Sequence, residues 1–257
     1  MPEIETLSLA ALATAALIVF LAGLTHGTLG FGFPMVATPL LALQTDVRSA
    51  ILLTLLPTVA VNVPSILHGG NWREGIGEHW PLVVYIPLGT VLGTHWLIAI
   101  DPAPFKLLLA AMIVLYLLQP RLGPGGGWLG WLHRHRALAY ALFGLSAGVL
   151  AGTVNVMVPL LIIFTLELGL TTLATVQLFN LCFLTGKLVQ LAAFGVAGLL
   201  VPALLGNGAL LALVGIGALY LGMRLRARID AAGYRRWLRR ALAAIAVLLV
   251  LQFGLGF

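Results

Sequence analysis

The residues whose side chains are best suited to chemistry lie inside apolar stretches. Lys187 is the one charged residue that the pattern places deep within such a stretch, and Asn180 precedes it by seven residues. Seven residues along a helix return to nearly the same face, so both side chains are predicted to point the same way. A charge at the bilayer centre costs about 2.5–3.5 kcal/mol on insertion scales. We therefore expect Lys187 to attract an anionic substrate and Asn180 to hydrogen-bond it. The alternative is a lysine that reaches the interface and an asparagine that joins helices.

Two apolar segments are interrupted by residues that disfavour continuous helix. The first, residues 22–39, contains four glycines and two prolines, and residues 147–159 repeat this pattern more weakly. Each break is expected to place a helix N-terminus, with its amides and positive dipole end, inside the membrane, where an oxyanion would bind. Two such segments at matching places in two halves indicate a transporter's binding site. The alternative is that the glycines only allow helices to cross closely.

Other polar residues lie at the breaks or on one helix face. The expected substrate-binding residues are Thr25, His26, Thr28, Gly30 and Gly32 at the first break and Gly152, Thr153 and Asn155 at the second. Four residues of a later apolar stretch share one face and, with Gln177, either line the path or pack against helices: Thr54, Thr58, Asn62 and Ser65. His26 suits proton transfer, because a histidine exchanges protons near neutral pH. The alternative is a neutral histidine that is hydrogen-bonded to backbone.

The composition excludes an ordinary soluble protein. The chain has 257 residues, of which 61% are hydrophobic and 9% charged, whereas a soluble domain has about 25% charged residues. The net charge of +6 does not indicate nucleic-acid binding, because most arginines flank apolar spans. No hydrolase, metalloprotease or Walker lysine motif occurs in the sequence. We therefore expect a membrane protein that is not an enzyme and needs no cofactor or metal.

Apolar runs of about 17 residues or more predict membrane helices. The expected fold is an all-α polytopic membrane protein with about 8–10 transmembrane or half-membrane helices. They divide into a first repeat over residues 1–118, a cytoplasmic linker over 119–136 and a second repeat over 137–257. Seven arginines in residues 222–240 place that loop in the cytoplasm. Each half then has an odd number of elements, which predicts inverted repeats in the inner membrane with both termini outside the cytoplasm.

Both interrupted segments resemble the glycine-rich motifs of the TauE/SafE family of sulfite and organosulfonate exporters. The matching strings are GTLGFGFPMVATPLL at residues 27–41 and GVLAGTVNVMVPLL at residues 148–161. The resemblance covers nearly the whole chain. It implies a secondary transporter of small sulfur-containing oxyanions, which we expect to export them by alternating access.

Two other function classes remain open from the sequence. An uptake carrier for another small solute, including a metal cation, is disfavoured by a buried lysine without a buried carboxylate. A non-transporting assembly or sensor component would need the paired breaks only for folding. The expected partners are a small anionic substrate and the lipid bilayer, and glycine-rich helix faces would permit a homodimer.

Overall fold

The computed structural model describes residues 8–68, 76–122, 134–228 and 230–255. These ranges contain ten α-helices and no β-strand. The helices of the first half are α1 (Leu9–Leu29), α2 (Phe33–Ala42), α3 (Val47–His68), α4 (Trp80–Ala99) and α5 (Ala103–Leu122). Those of the second half are α6 (Arg136–Val154), α7 (Val158–Glu167), α8 (Thr172–Val196), α9 (Pro202–Leu225) and α10 (Ala231–Leu255).

Most of these helices have the length and composition of membrane spans. Seven helices in the described ranges are long and apolar enough to cross a membrane, namely α1, α3, α4, α6, α8, α9 and α10. By contrast, α2 and α7 have ten residues each, or about 15 Å, half of a hydrocarbon core. The prediction of an all-α polytopic membrane protein is therefore confirmed.

Helices α1 and α9 pack closely through glycines, although they belong to different halves of the chain. Gly23 of α1 contacts Gly215 and Ala218 of α9, and Gly27, one turn further along α1, contacts Leu219 and Gly222. A Cβ atom built on Gly27 would lie only 2.2 Å from the carbonyl oxygen of Leu219. The two helices therefore run parallel, and glycine is required where their backbones touch.

Helices α4 and α6 form the matching pair. Gly89 contacts Gly148, and Gly93 contacts Gly152. A Cβ atom built on Gly148 would lie 2.1 Å from the carbonyl oxygen of Ile86. This pair is also parallel, so each half contributes one helix to each glycine interface. The homodimer stays a prediction, although the glycine face of α4 is used here within the chain.

The contacts of α3 with α9 and with α4 give the direction of α3. Gly208 and Gly215 of α9 contact Leu56 and Val61 of α3, so α3 runs parallel to α9 and therefore to α1. The guanidinium of Arg48, near the start of α3, donates to carbonyls at the end of α4. Helices α3 and α4 are therefore antiparallel. Because α1 and α3 run the same way, α2 must turn back between them.

Helix α8 packs beside α4 and runs parallel to it. Gly186 of α8 lies beside Thr90 of α4, and Gln190 hydrogen-bonds Thr94 one turn further on. Helices α4, α6 and α8 are thus parallel to each other and opposite in direction to α1, α3 and α9. It follows that α7 turns back between α6 and α8, as α2 does in the first half. Each short helix therefore runs opposite in direction to the two long helices that flank it in sequence.

The helix bounds of the two halves repeat after 125 residues. This shift carries the end of α1 to that of α6, both bounds of α2 to those of α7, and the start of α3 to that of α8: Leu29 to Val154, Phe33 to Val158, Ala42 to Glu167 and Val47 to Thr172. Repeated bounds in opposite directions have the form of an inverted repeat. The division at residues 118 and 137 stays a prediction, and residues 123–133 of the expected linker lie outside the described ranges.

Candidate functional site

The first break lies between α1 and α2. Gly30 has a φ of 89°, and its N–H donates to the carbonyl of His26 at 2.7 Å, which ends α1. Gly32 has a φ of 104°, and α2 then begins at Phe33 with Pro34 in its first turn. Only glycine takes these left-handed conformations at little cost, and proline suits the start of a helix. The glycines and the proline therefore produce the break locally.

His26 bridges this break and is 1% exposed. Its Nδ1 accepts from the backbone N–H of Phe33 at 3.4 Å, and its Nε2 lies 3.1 Å from the hydroxyl oxygen of Ser65. The Ser65 hydroxyl donates to the carbonyl of Val61, so it accepts from the histidine. These bonds suit a neutral ring with a proton on Nε2. A role in proton transfer stays a prediction.

The second break lies between α6 and α7 and is formed by Asn155. Its φ of 59° is the only positive value at a non-glycine position in the described chain. Asparagine tolerates this conformation better than most residues. The Asn155 Nδ2 donates to the hydroxyls of Thr38 at 2.7 Å and Thr54 at 3.3 Å. The break is thereby joined to α2 and α3, and Thr38 is a contact that sequence reasoning missed.

Asn180 of α8, in the second half, contacts the first break. Its Nδ2 donates to the carbonyl of Gly30 at 3.0 Å. One turn earlier, the Nε2 of Gln177 lies 3.5 Å from the carbonyl of Ile66 in α3. Four buried amide oxygens have no partner in the described structure: those of Asn62, Asn155, Gln177 and Asn180. Because an unpaired buried acceptor is costly, these atoms mark places where water or a solute is expected to bind.

Lys187 is buried in α8 with an exposure of 2%. Its ammonium donates to the Oε1 of Gln190. The Nε2 of Gln190 in turn donates to the carbonyl of Gly152 at 3.0 Å and lies 3.3 Å from the hydroxyl of Thr94. No acidic side chain in the described ranges pairs with Lys187. A buried positive charge therefore has only a neutral hydrogen-bond partner.

The expected site residues form three hydrogen-bonded groups rather than one. Asn180 meets the first break, Asn155 closes the second, and Lys187 reaches the end of α6 through Gln190. Asn180 and Lys187 are buried as predicted, but seven residues separate them by about 10 Å along the helix axis. The three groups therefore lie at or beside the two breaks, and a common substrate path through them stays a prediction.

The threonines at the breaks are hydrogen-bonded within their own helices. The hydroxyls of Thr28 and Thr153 donate to the carbonyls four residues earlier, both at 2.8 Å. Thr25 does the same and also bonds the hydroxyl of Tyr234 in α10 at 2.7 Å. In α3, Thr58 and Asn62 likewise bond carbonyls one turn earlier. Direct contacts of these side chains with a substrate stay a prediction.

A cleft of about 260 Å³ leads from the protein surface to the first break. Its lining residues come from α1, α3, α8 and α9: Gly27, Gly30, Ser65, His68, Leu173, Val176, Asn180, Met223 and Arg226. His68 and Arg226 are exposed, whereas Asn180 is fully buried. Sequence reasoning missed the role of His68 and Arg226, because they end two helices that are distant in sequence. Across the described ranges, no group of three or more His, Cys, Asp or Glu side chains is arranged to hold a metal ion.

Comparison with known proteins identifies the family. The family model described as "Sulfite exporter TauE/SafE" matches residues 15–253, which include both breaks and the cleft. A search of curated proteins and a search of solved structures each gave no significant match. The resemblance of the two glycine-rich motifs is thus confirmed across nearly the whole chain. The protein belongs to the TauE/SafE sulfite exporter family, a family of membrane transporters.

Proposed function

We propose that the protein is a secondary carrier that exports small sulfur-containing oxyanions, such as sulfite and sulfonates, from the cytoplasm by alternating access. Family membership supports transport. The opposite directions of the two halves support alternating access, because inverted repeats can rock about a site at their interface. The membrane potential favours this direction, at about 2.3 kcal/mol per charge per 100 mV.

The buried ammonium of Lys187 is the observation that carries the choice of an anion. A buried charge is costly unless an opposite charge or several strong hydrogen bonds compensate it. The described structure offers Lys187 only the neutral Gln190 amide. An oxyanion would supply both the missing charge and strong acceptor atoms. Asn180 would add a donor, because its NH₂ group has two hydrogens and bonds a single carbonyl.

The experiment that tests this proposal is anion flux in proteoliposomes. Wild type is compared with Lys187→Met, which keeps the length of the side chain and removes the charge. We expect saturable flux of sulfite or a sulfonate over sulfate and chloride, and a loss of at least about tenfold in the variant, since tenfold corresponds to only 1.4 kcal/mol. Lys106→Met is the matched control, because Lys106 is the other lysine and bonds Gln252 of α10.

The outcomes separate the parts of the proposal. Normal flux in a folded Lys187→Met protein would retain the carrier but remove Lys187 from its path. Absence of flux for every anion with the wild type would contradict the proposal. It would favour the uptake carrier for another solute or the non-transporting component.

A further inference from the structure

The cleft at the first break has a counterpart in the other half of the chain. The shift of 125 residues pairs Gly27 with Gly152, Gly30 with Asn155, Ser65 with Gln190, and Val176 with Ile51. The same shift pairs Leu173 with Arg48. Helices α9 and α4 correspond by contact, because Met223 touches Gly27 as Thr94 touches Gly152. Arg226 and Leu97, each three residues further along, are therefore counterparts.

The two sets of residues differ in exposure. On the cleft side, Leu173 is 51% exposed and Arg226 is exposed as well. Of their counterparts on the opposite side, Arg48 is half-buried and Leu97 is fully buried. The third pair is buried on both sides, with Val176 8% exposed and Ile51 0% exposed. An inverted repeat predicts two equivalent half-paths, one from each membrane face. The half-path of the first break is open here, and the residues of the other are packed together.

On the packed side, a hydrogen-bonded guanidinium joins two helix ends, and the cleft side has no counterpart of it. Arg48 takes the place of Leu173, and its guanidinium donates to the carbonyls of Leu97 at 2.8 Å and Ile100 at 2.7 Å. This joins the start of α3 to the end of α4. At the same level of the fold, Gln190 joins α8 to α6 and α4 through Gly152 and Thr94.

The counterparts on the cleft side cannot form this pair of links. Leu173 has no polar atom in its side chain. Ser65 joins α3 to α1 through His26, whereas Gln190 joins α8 to both α6 and α4. Among the residues that the structure describes, the side chains lining the cleft include His68 and Arg226 and no acidic residue. The open half-path therefore favours an anion.

We propose that the structure is one state of an alternating-access cycle, in which Arg48 and Gln190 form a latch. The cleft lined by His68 and Arg226 admits a small oxyanion from the arginine-rich face, and the latch keeps the opposite half-path closed. Opening that half-path requires the latch bonds to be exchanged for water, so removing them shifts the population toward the other state. The identity of the oxyanion rests on the proposed function, whereas the latch does not.

Cysteine accessibility tests the latch without any substrate. Cys182 is the only cysteine of the chain, so Cys182→Ala gives a background for single cysteines. Val176→Cys reports on the cleft, and its counterpart Ile51→Cys reports on the packed side. The full chain is reconstituted in vesicles and reacted with a membrane-impermeant maleimide. We expect Val176→Cys to react at least about tenfold faster than Ile51→Cys.

Removal of the latch gives the decisive comparison. Arg48→Gln together with Gln190→Leu should raise the Ile51→Cys rate at least about fivefold and slow the Val176→Cys reaction, as expected from the loss of two or more hydrogen bonds. Arg228→Gln is the control, because Arg228 is exposed and lies outside the cleft and the latch. If the double variant does not fold, Arg48→Lys replaces it, since lysine keeps the charge and loses the fork of donors.

Equal rates for the two cysteines, or unchanged rates in the latch variant, would overturn the proposal. Both readouts are independent of flux, so an inactive carrier can still show the latch. If the carrier moves oxyanions but the latch variant leaves both cysteine reaction rates unchanged, only the latch is overturned.

Discussion

Asn155 combines a backbone role with a side-chain role. Its left-handed conformation ends α6, as Gly30 ends α1, and its amide joins the break to α2 and α3. We therefore expect Asn155→Gly to lose only the amide bonds, whereas Asn155→Ala also gains backbone strain of about 1–2 kcal/mol. Thermal unfolding in detergent should rank wild type first, glycine second and alanine last. An alanine variant as stable as the glycine variant would contradict the backbone role.

At the residue scale, the sequence could predict burial but not partners. The seven-residue spacing of Asn180 and Lys187 correctly placed both on a buried face, because helix geometry is local. Gln190 was missed, although it follows Lys187 by three residues and thus lies within reach on the same helix. Arg48 and Arg226 gave no such local signal. Their surroundings depend on the packing of distant helices.

At the element scale, the glycine interfaces carry the closest packing. Gly27→Ala would place a methyl group 2.2 Å from the carbonyl oxygen of Leu219, so α1 and α9 would have to separate. We expect a loss of about 1–3 kcal/mol in stability, as overpacking usually costs, and a lower melting temperature in detergent. Gly217→Ala is the control in α9, because nothing lies within 4 Å of its built Cβ atom. Equal melting temperatures for the two variants would show that the interface tolerates side chains.

The breaks were predictable from the sequence, and the helices that flank them were less so. The Gly-Phe-Gly-Phe-Pro run interrupts the helix as expected, but the first part of the interrupted segment 22–39 is helical, because α1 continues to Leu29. Gly23 and Gly27 stay helical because α9 packs directly on them. Helix α3 also continues through Pro57 and Pro64. Tertiary contacts therefore override local helix-breaking tendencies, and no local pattern indicates which helix will supply them.

At the scale of the whole molecule, the direction of every span follows from one orientation. The end of α9 and the start of α10 carry the arginine-rich segment, which the positive-inside rule places in the cytoplasm. Because α1 and α9 run parallel, the N-terminus is then expected outside, and α10 returns the C-terminus to that side. Terminal epitope tags should be accessible on intact spheroplasts, whereas Arg228→Cys in the Cys182→Ala background should react only after permeabilisation. Termini and loop on the same side would contradict this topology.

The pairing of α1 with α9 also has a consequence for the time course of synthesis. Gly23 emerges about 190 residues before its partner Gly215. At about 5–20 residues per second, the ribosome needs roughly 10–40 s to supply that partner. During this interval the bare backbone face of the first span must be covered by lipid or by an insertion factor. The second half thus completes the first, because α1 reaches its native packing only after α9 has been synthesised.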